Sequence, residues 1–192
     1  MPVEVRKYYS EEDFLILKRM SKIKNEYYRG EIFAMSGASF QHSQIAAFLA
    51  KDIGVHLTGK ACNIFGSDLR VHTQLKYFYT YPDAVIICGE PVFVDNEFDT
   101  IINPAILFEI LSPSAEEYDR TIKFEFYKNI PTLKQYVLID SQKILIEVFT
   151  KQKDNSWLSV KYTNPEEKWV LASIDYKGSV KQVYEEVIFK KS

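Results

Sequence analysis

The chain has 192 residues, of which 46% are hydrophobic and 26% are charged, and its formal net charge at pH 7 is −2. These values predict one globular domain with a buried core. No apolar run approaches the ~18 residues of a membrane-spanning helix, and the first residues lack the apolar stretch of a secretory signal. The weak negative charge argues against a non-specific DNA coat protein, yet it leaves room for an enzyme with a local basic groove.

The cysteines give an expectation about the compartment. Cys62 and Cys88 do not form a CxxC pair. We therefore expect neither a disulfide framework nor a zinc site, and a protein of the reducing cytoplasm that does not contact a membrane.

The first predicted elements are a helix, a strand and a second helix. Residues 10–24 are predicted to form a helix capped by Ser10, and residues 26–35 a strand. Gly30 interrupts this strand, which indicates a bulge or a close backbone approach. The clearest helix covers residues 41–58, because apolar residues recur there every four positions. The predicted apolar sides consist of Phe14, Leu17 and Ile23 in the first helix and of Ile45, Leu49, Ile53 and Leu57 in the second.

The middle of the chain is rich in short strands. We expect short strands between residues 61 and 79, a strand at 81–88, a polar loop or hairpin at 90–103, and a strand at 105–111. The segments AVIIC and AILFEIL are almost continuously apolar. Strands of that kind usually lie in the middle of a sheet that is covered on both faces.

The last part begins with a helix and continues with strands. Ser114 and Glu117 have the spacing of a capping box, so a helix is predicted from there to about Asn129, before Pro131. Further strands are predicted at the positions 135–139, 143–149 and 157–163, and in the segments KWVLAS and VYEEVIF of the tail. This order predicts a mixed α/β or α+β fold in a single domain over residues 1–192, with its core at about 10–149 and C-terminal strands over 150–192.

Two acidic residues on neighbouring predicted strands are candidates for a metal site. Glu109 lies inside the apolar run AILFEIL, and Asp83 follows Pro82 at the start of another apolar strand. Each has a structural alternative: Glu109 a buried carboxylate paired with Lys or Arg, Asp83 a turn residue. If both lie at one edge of the sheet, they offer the oxygen ligands that Mg²⁺ prefers.

Three further residues share one face of the predicted helix after Glu109. Asp119, Lys123 and Tyr127 are spaced by four residues. Lys123 could reach the same cleft and stabilise charge on a phosphate, and the alternative is a solvated salt bridge with Asp119. Glu31 is a further candidate acid, or else a surface residue. Nucleotide-binding glycine motifs, HExxH and GxSxG are absent from the sequence.

The pattern resembles the Uma family of restriction-endonuclease-like proteins, which belongs to the PD-(D/E)XK superfamily. The resemblance covers about residues 10–149 and is most specific between Leu107 and Asp140. It rests on Gly30-Glu31, His42, Pro82-Asp83, the run from Phe108 to Ser114, Asp119, Lys123, Tyr127 and the run from Gln135 to Asp140.

The resemblance implies a restriction-endonuclease-like core, a mixed central β-sheet flanked by helices. It makes Asp83 and Glu109 the two acids of the superfamily signature and brings Glu31 to the site. The lysine that should follow Glu109 by two residues is replaced by Leu111. Lys123 on the following helix takes its role.

The implied activity is metal-dependent hydrolysis of DNA. Asp83, Glu109 and the main-chain carbonyl of Ile110 would bind Mg²⁺ or Mn²⁺, Lys123 would position the attacking water, and Glu31 would bind a second metal or hold Lys123. A homodimer is expected by analogy with nucleases of this fold. Two alternatives stay open: a nuclease-like domain that only binds DNA or protein, and an unrelated α/β protein in which the acids are structural. A metal site requires Asp83 and Glu109 within about 10 Å of each other.

Overall fold

The computed structural model describes residues 8–21, 23–35, 37–73 and 77–189. No helix within these ranges is long and apolar enough to cross a membrane. The elements in chain order are α1 (Glu11–Met20), β1 (Asn25–Tyr28), β2 (Glu31–Ala34), α2 (Phe40–Leu57), β3 (Cys62–Gly66), β4 (Arg70–Thr73), β5 (Phe78–Thr80), β6 (Ala84–Cys88), β7 (Thr100–Ile101), β8 (Ile106–Leu111), α3 (Glu116–Tyr118), a π-helical segment (Asp119–Lys123), α4 (Phe124–Tyr127), β9 (Gln135–Asp140), β10 (Ile146–Lys151), β11 (Trp157–Tyr162), β12 (Lys168–Leu171), a 3-10 turn (Ala172–Ile174), β13 (Tyr176–Ser179) and α5 (Val180–Tyr184).

A six-stranded mixed sheet, in the order β11-β10-β9-β8-β6-β3, forms the centre of the molecule. β8 and β9 are parallel, and the other neighbours are antiparallel. The strand β8 is buried along its whole length, because α2 packs on one face of the sheet and the 116–127 helix, made of α3, the π-helical segment and α4, packs on the other.

Alternation along β8 decides which face receives Glu109. Ile106, Phe108 and Ile110 belong to the apolar cluster that contains α2. Leu107 and Leu111 belong to the cluster that contains the 116–127 helix. Because successive side chains of a strand point to opposite faces, Glu109 lies on the side of the 116–127 helix.

A second sheet has five strands in the order β2-β1-β5-β4-β7. The predicted strand at 26–35 is in fact the β1–β2 hairpin, which turns at Arg29 and Gly30. Gly30 has a φ of +94°, and a Cβ atom there would lie 2.8 Å from a ring carbon of Tyr8. The predicted close approach at this glycine is therefore present, but it occurs at a turn.

Both predicted outer helices differ in detail from the structure. α1 ends at Met20, and its buried residues are Phe14 and Leu15, whereas Leu17 and Ile23 are 44% and 66% exposed. The predicted apolar side was therefore partly wrong. The α2 prediction is confirmed, since Ile45, Leu49, Ile53 and Leu57 are all buried.

The helix after β8 begins differently from the prediction. Ala115 occupies the N-cap position and makes no side-chain cap, so the capping box of Ser114 and Glu117 is wrong. The carbonyl of Ser112 instead accepts the N–H groups of Ala115 and Glu116. The helix then widens into the π-helical segment before α4.

The C-terminal part is more than a set of added strands. β12 and β13 form a hairpin, but the segment predicted as a last strand begins within helix α5. Trp169, Leu171, Val180 and Val183 are buried in the same cluster as α2. The tail therefore completes the core on that side.

The cysteine prediction was wrong. Cys62 and Cys88 are register partners on the antiparallel strands β3 and β6, and they form a disulfide. The two cysteines are 26 residues apart in the sequence, and only the strand register brings them together, so spacing alone could not predict this pairing. The inference of a reducing compartment from the cysteines loses its support.

We expect the disulfide to stabilise the folded chain. It closes a loop across a sequence separation of 26 residues, and opening such a link typically costs about 2–4 kcal/mol of unfolding free energy. Urea unfolding with and without a phosphine reductant measures the difference. Thiol titration of the denatured, non-reduced protein should find no free thiol, and two free thiols per chain would contradict the pairing.

Candidate active site

Asp83 and Glu109 are brought together by the β6–β8 pairing. The register sets Ala84 opposite Phe108, and the N–H of Asp83 donates to the carbonyl of Phe108 at 3.0 Å. The Oδ2 atom of Asp83 also accepts the N–H of Ile110. Asp83 is therefore held against the Phe108–Ile110 segment of β8, and it lies close enough to Glu109 to raise the pKa of that carboxyl.

Asp83 is held by two donors at the end of β6. Its Oδ2 accepts the N–H of Ile110 at 2.6 Å, and its Oδ1 lies 3.0 Å from Nε2 of His42 near the start of α2. In a strand the N–H and C=O of one residue point to the same neighbour. The carbonyl of Ile110 therefore faces the side on which Asp83 lies.

Lys123 lies among three carboxylates. Its Nζ is 3.1 Å from Oε1 of Glu109, 3.1 Å from Oε1 of Glu26 and 3.2 Å from Oδ1 of Asp119. All four side chains are at most 6% exposed. We call Glu26, Glu109 and Asp119 around Lys123 the acid cluster. The salt bridge of Lys123 with Asp119 is thus buried rather than solvated.

The contacts with Lys123 are not equivalent. Lys123 donates a hydrogen bond to Glu109. The Oδ1 atom of Asp119 lies within ion-pair distance of Nζ, yet within the described structure no donor is aligned with it. Among the described residues, the ammonium of Lys123 is therefore the group that compensates the charge on Oδ1 of Asp119.

Hydroxyl groups donate further hydrogen bonds to Glu109 and Glu26. Tyr127 donates to Oε1 of Glu109 at 2.8 Å, Thr80 donates to Oε1 of Glu26 at 2.5 Å, and Tyr118 donates to Oε2 of Glu26 at 3.0 Å. Glu26 and Thr80 belong to the five-stranded sheet. The acid cluster therefore joins the two sheets through the 116–127 helix.

The π-helical segment explains how Asp119 and Lys123 meet Glu109 together. Its five residues, Asp119–Lys123, have both charged ends buried. π-turns are rare and are frequent at functional sites. The widened turn sets both side chains on the inner side of the helix.

Glu31 is placed elsewhere in the β1–β2 hairpin. It lies at the start of β2, the outer strand of the five-stranded sheet, opposite Tyr28. The acid of this hairpin that pairs with Lys123 is Glu26. The role of Glu31 stays a prediction.

Comparison with known proteins assigns the family. The Uma2 model, described as "Putative restriction endonuclease", matches residues 11–176. The chain belongs to the Uma2 family. The uncharacterized proteins sll1609 and slr1290 of Synechocystis sp. are each 34% identical to this Uma2 chain. Their alignments cover 82% of the chain and 89% of sll1609, and 94% of the chain and 93% of slr1290.

A solved structure supports the fold. A protein from Anabaena variabilis, described as "a putative nuclease belonging to DUF820", superposes with a TM-score of 0.75 at 19% identity. The superposition covers 92% of this chain and 98% of that one. The predicted fold class, a mixed sheet flanked by helices, is confirmed.

Burial sets the electrostatics of the acid cluster. Desolvation raises the pKa of Glu109 well above its usual value, Lys123 opposes this, and Asp119, Asp83 and Glu26 add to it. Burial likewise raises the pKa of Asp119. Burial alone would lower the pKa of Lys123, but the three carboxylates raise it well above its usual value. The acid cluster therefore stabilises the charged form of Lys123 and opposes the simultaneous ionisation of Glu109 and Asp119.

The donor set fits a divalent cation. Three buried carboxylates face one ammonium, which leaves two uncompensated negative charges when all are ionised. Asp83 adds a fourth carboxylate nearby, and its charge raises the pKa of Glu109. The described residues hold no group of three His, Cys, Asp or Glu side chains already arranged around one point. Mg²⁺ commonly takes one or two carboxylates and completes its octahedron with waters and phosphate oxygens, so Asp83 and Glu109 suffice as side-chain ligands.

Several contacts of the site could not be predicted from the sequence. Glu26, Tyr118 and Thr80 belong to distant segments and meet only through the packing of two sheets. The contact of His42 with Asp83 was not predicted either, although His42 is part of the family pattern. The feature of the sequence that could have indicated it is the position of His42 near the start of the amphipathic α2.

We expect the unfolding free energy, measured in EDTA, to fall as the pH rises from 5 to 8. Glu109 has a folded pKa above its unfolded value of about 4.5, so the folded state keeps a proton that the unfolded chain releases. Stability is then lost as the pH rises towards the folded pKa, by at most about 1.4 kcal/mol per pH unit for one proton.

Glu109→Gln should reduce this slope, because the amide cannot titrate, and the part contributed by Asp119, whose pKa burial also raises, should remain. The matched control is Glu166→Gln on the exposed surface, which should keep the wild-type slope. Urea unfolding across the pH range measures both variants. A Glu109→Gln slope equal to that of wild type would show that Glu109 is not the titrating group.

Proposed function

We propose that the protein is a metal-dependent endonuclease that hydrolyses phosphodiester bonds of DNA. The observation that carries this proposal is the buried acid cluster around Lys123, next to Asp83, in a chain of the Uma2 family. The structural relative described as a nuclease supports the same activity class. DNA as the substrate follows from the family description.

The proposed roles of the residues follow from their positions. Asp83, Glu109 and the carbonyl of Ile110 would hold Mg²⁺ or Mn²⁺ at the end of β6. When bound, the metal ion supplies Lewis-acid activation of the scissile phosphate and of water. His42 and the N–H of Ile110 orient Asp83, and Tyr127 orients Glu109.

Lys123 would position the attacking water and stabilise the negative charge that develops on the phosphate. Its raised pKa keeps it protonated at neutral pH. Glu26 and Asp119 hold the ammonium in place. Glu26 thus fills the lysine-holding role that the family resemblance suggested for Glu31.

A second candidate function is a nuclease-like module that binds nucleic acid or protein without cleavage. One observation favours it: both oxygens of Asp83 already have partners, and Lys123 is engaged by three carboxylates. Strand cleavage decides between the two functions.

The expected homodimer stays a prediction. β11 is the outer strand of the six-stranded sheet, and Leu158 and Val160 on it are 57% and 42% exposed. An edge strand with exposed apolar side chains is a surface on which a second copy can pair. Sedimentation velocity of the purified chain decides the oligomeric state, and a monomer at all concentrations would exclude the dimer.

Purified protein should nick supercoiled plasmid with Mg²⁺ or Mn²⁺ and not in EDTA. Asp83→Ala should abolish nicking, because it removes a metal ligand. Lys123→Met should slow it by about 10²–10³-fold, the usual cost of losing one group that stabilises transition-state charge.

The controls are Glu166→Gln and Lys177→Met, which change exposed residues and should nick at the wild-type rate. Circular dichroism verifies that each variant is folded. Nicking that survives Asp83→Ala would reject the metal site. Nicking lost with Asp83→Ala but kept with Lys123→Met would reject only the role of Lys123. No nicking of any nucleic acid by wild type would favour the binding module.

A further inference from the structure

A cleft of about 620 Å³ lies between the 116–127 helix and the β10–β11 hairpin. Three aromatic rings line it, those of Phe124, Phe149 and Trp157, together with Lys128 and Lys151. Its volume falls within the range of about 300–1,000 Å³ that is usual for ligand sites. None of these residues belongs to the acid cluster.

The three rings pack against one another and form an aromatic platform on the wall of the cleft. Phe124 lies 4.5 Å from Phe149 and 5.4 Å from Trp157, centroid to centroid, and Trp157 stands almost perpendicular to Phe124 at 82°. Trp157 is half-buried, and within the described residues its indole N–H donates to no acceptor. A planar, polar-edged ring is the ligand that such a platform accommodates best, by stacking and by a hydrogen bond to the indole.

Lysines outnumber acids around the cleft, although the whole chain is weakly acidic: Lys128 and Lys151 line it, Lys134 and Lys153 adjoin Lys151, and Glu125 and Asp154 are the nearby acids. Lys151 is the register partner of Trp157, so the two side chains lie on one face. The N–H of Lys151 donates to the carbonyl of Lys134, and Lys153 follows in the hairpin turn. In the part of the chain that the structure describes, Lys134, Lys151 and Lys153 make no ion pair. Lys128 pairs with Glu125 and lies over the ring of Phe124 at 5.0 Å.

The cleft and the acid cluster share one helix and one sheet. Lys123 points to Glu109, and its neighbour Phe124 lines the cleft. Glu109 pairs with Leu138, which pairs with Glu147, two residues before Phe149. The path from Glu109 to Phe149 therefore crosses two strand spacings and runs two residues along β10, which corresponds to about 12 Å. A stacked single strand covers this distance with a few nucleotides.

We propose that this cleft binds an unpaired base of single-stranded nucleic acid, which stacks on Trp157 while Lys151 and its neighbours contact the adjacent phosphates. The ligand class rests on the proposed function. The cleft adds to it a preference for unpaired or locally opened strands, because a base inside a duplex cannot enter. Aromatic rings combined with lysines are the usual means of binding single strands without sequence preference.

The test uses the full chain in EDTA, so that binding is measured without cleavage. Binding of a fluorescein-labelled dT12 oligonucleotide is followed by anisotropy for wild type, Trp157→Ala, Trp157→Phe and Lys151→Gln. The matched control is Val55→Ala, an apolar residue of α2 that is 71% exposed and lies on the other face of the six-stranded sheet. Quenching of tryptophan emission reports stacking at Trp157, since the other tryptophan, Trp169, is fully buried.

We expect dT12 to bind more tightly than the corresponding duplex and to quench the emission. Trp157→Ala should weaken binding by about 5- to 140-fold, which corresponds to the 1–3 kcal/mol of one stacked base. Trp157→Phe should restore part of the affinity. Lys151→Gln should reduce the salt slope of binding by about 0.7. Val55→Ala should bind like wild type.

Equal affinities of Trp157→Ala and Val55→Ala, or equal binding of duplex and single strand, would overturn the cleft proposal. Metal-dependent plasmid nicking together with that result would leave the nuclease standing and remove the cleft alone. Trp157-dependent binding without nicking would support the cleft and reject the active nuclease.

Discussion

The buried contact between Lys123 and the acid cluster is the interaction on which the rest of the site depends. A buried ion costs several kcal/mol in desolvation, so three carboxylates cannot share this space without a cation. Lys123 is the cation that the chain itself provides. It lies at the end of a π-turn, so the register of the 116–127 helix and the ionisation of the site are linked.

This contact also joins the two sheets. Glu109 comes from the six-stranded sheet and Glu26 from the five-stranded one, and both reach the same ammonium. The apolar cluster around them is shared as well, since Val71 and Phe78 of the second sheet pack with Val85 and Leu107 of the first. The geometry of the site therefore depends on the docking of two sheets and not on one loop.

Local sequence patterns were sufficient to predict part of this structure, and the rest depends on the register of the strands. The apolar runs around Glu109 and the four-residue period of α2 were sufficient to predict a covered central strand and a core helix. The Cys62–Cys88 pairing, the salt bridge of Glu26 with Lys123 and the hairpin at Gly30 all depend on which segments lie opposite each other. Strand register is set by long-range packing, which composition and spacing do not reveal.

The distribution of charge explains how a chain of net charge −2 can suit a nucleic acid. Carboxylates are concentrated at Asp83 and the acid cluster, and unpaired lysines lie around the aromatic cleft about 12 Å away. In the proposed function, the lysines would attract the phosphates, while the carboxylates would repel the scissile phosphate until a divalent cation neutralised them. Strand binding and metal binding would then be coupled, since each would reduce the electrostatic cost of the other.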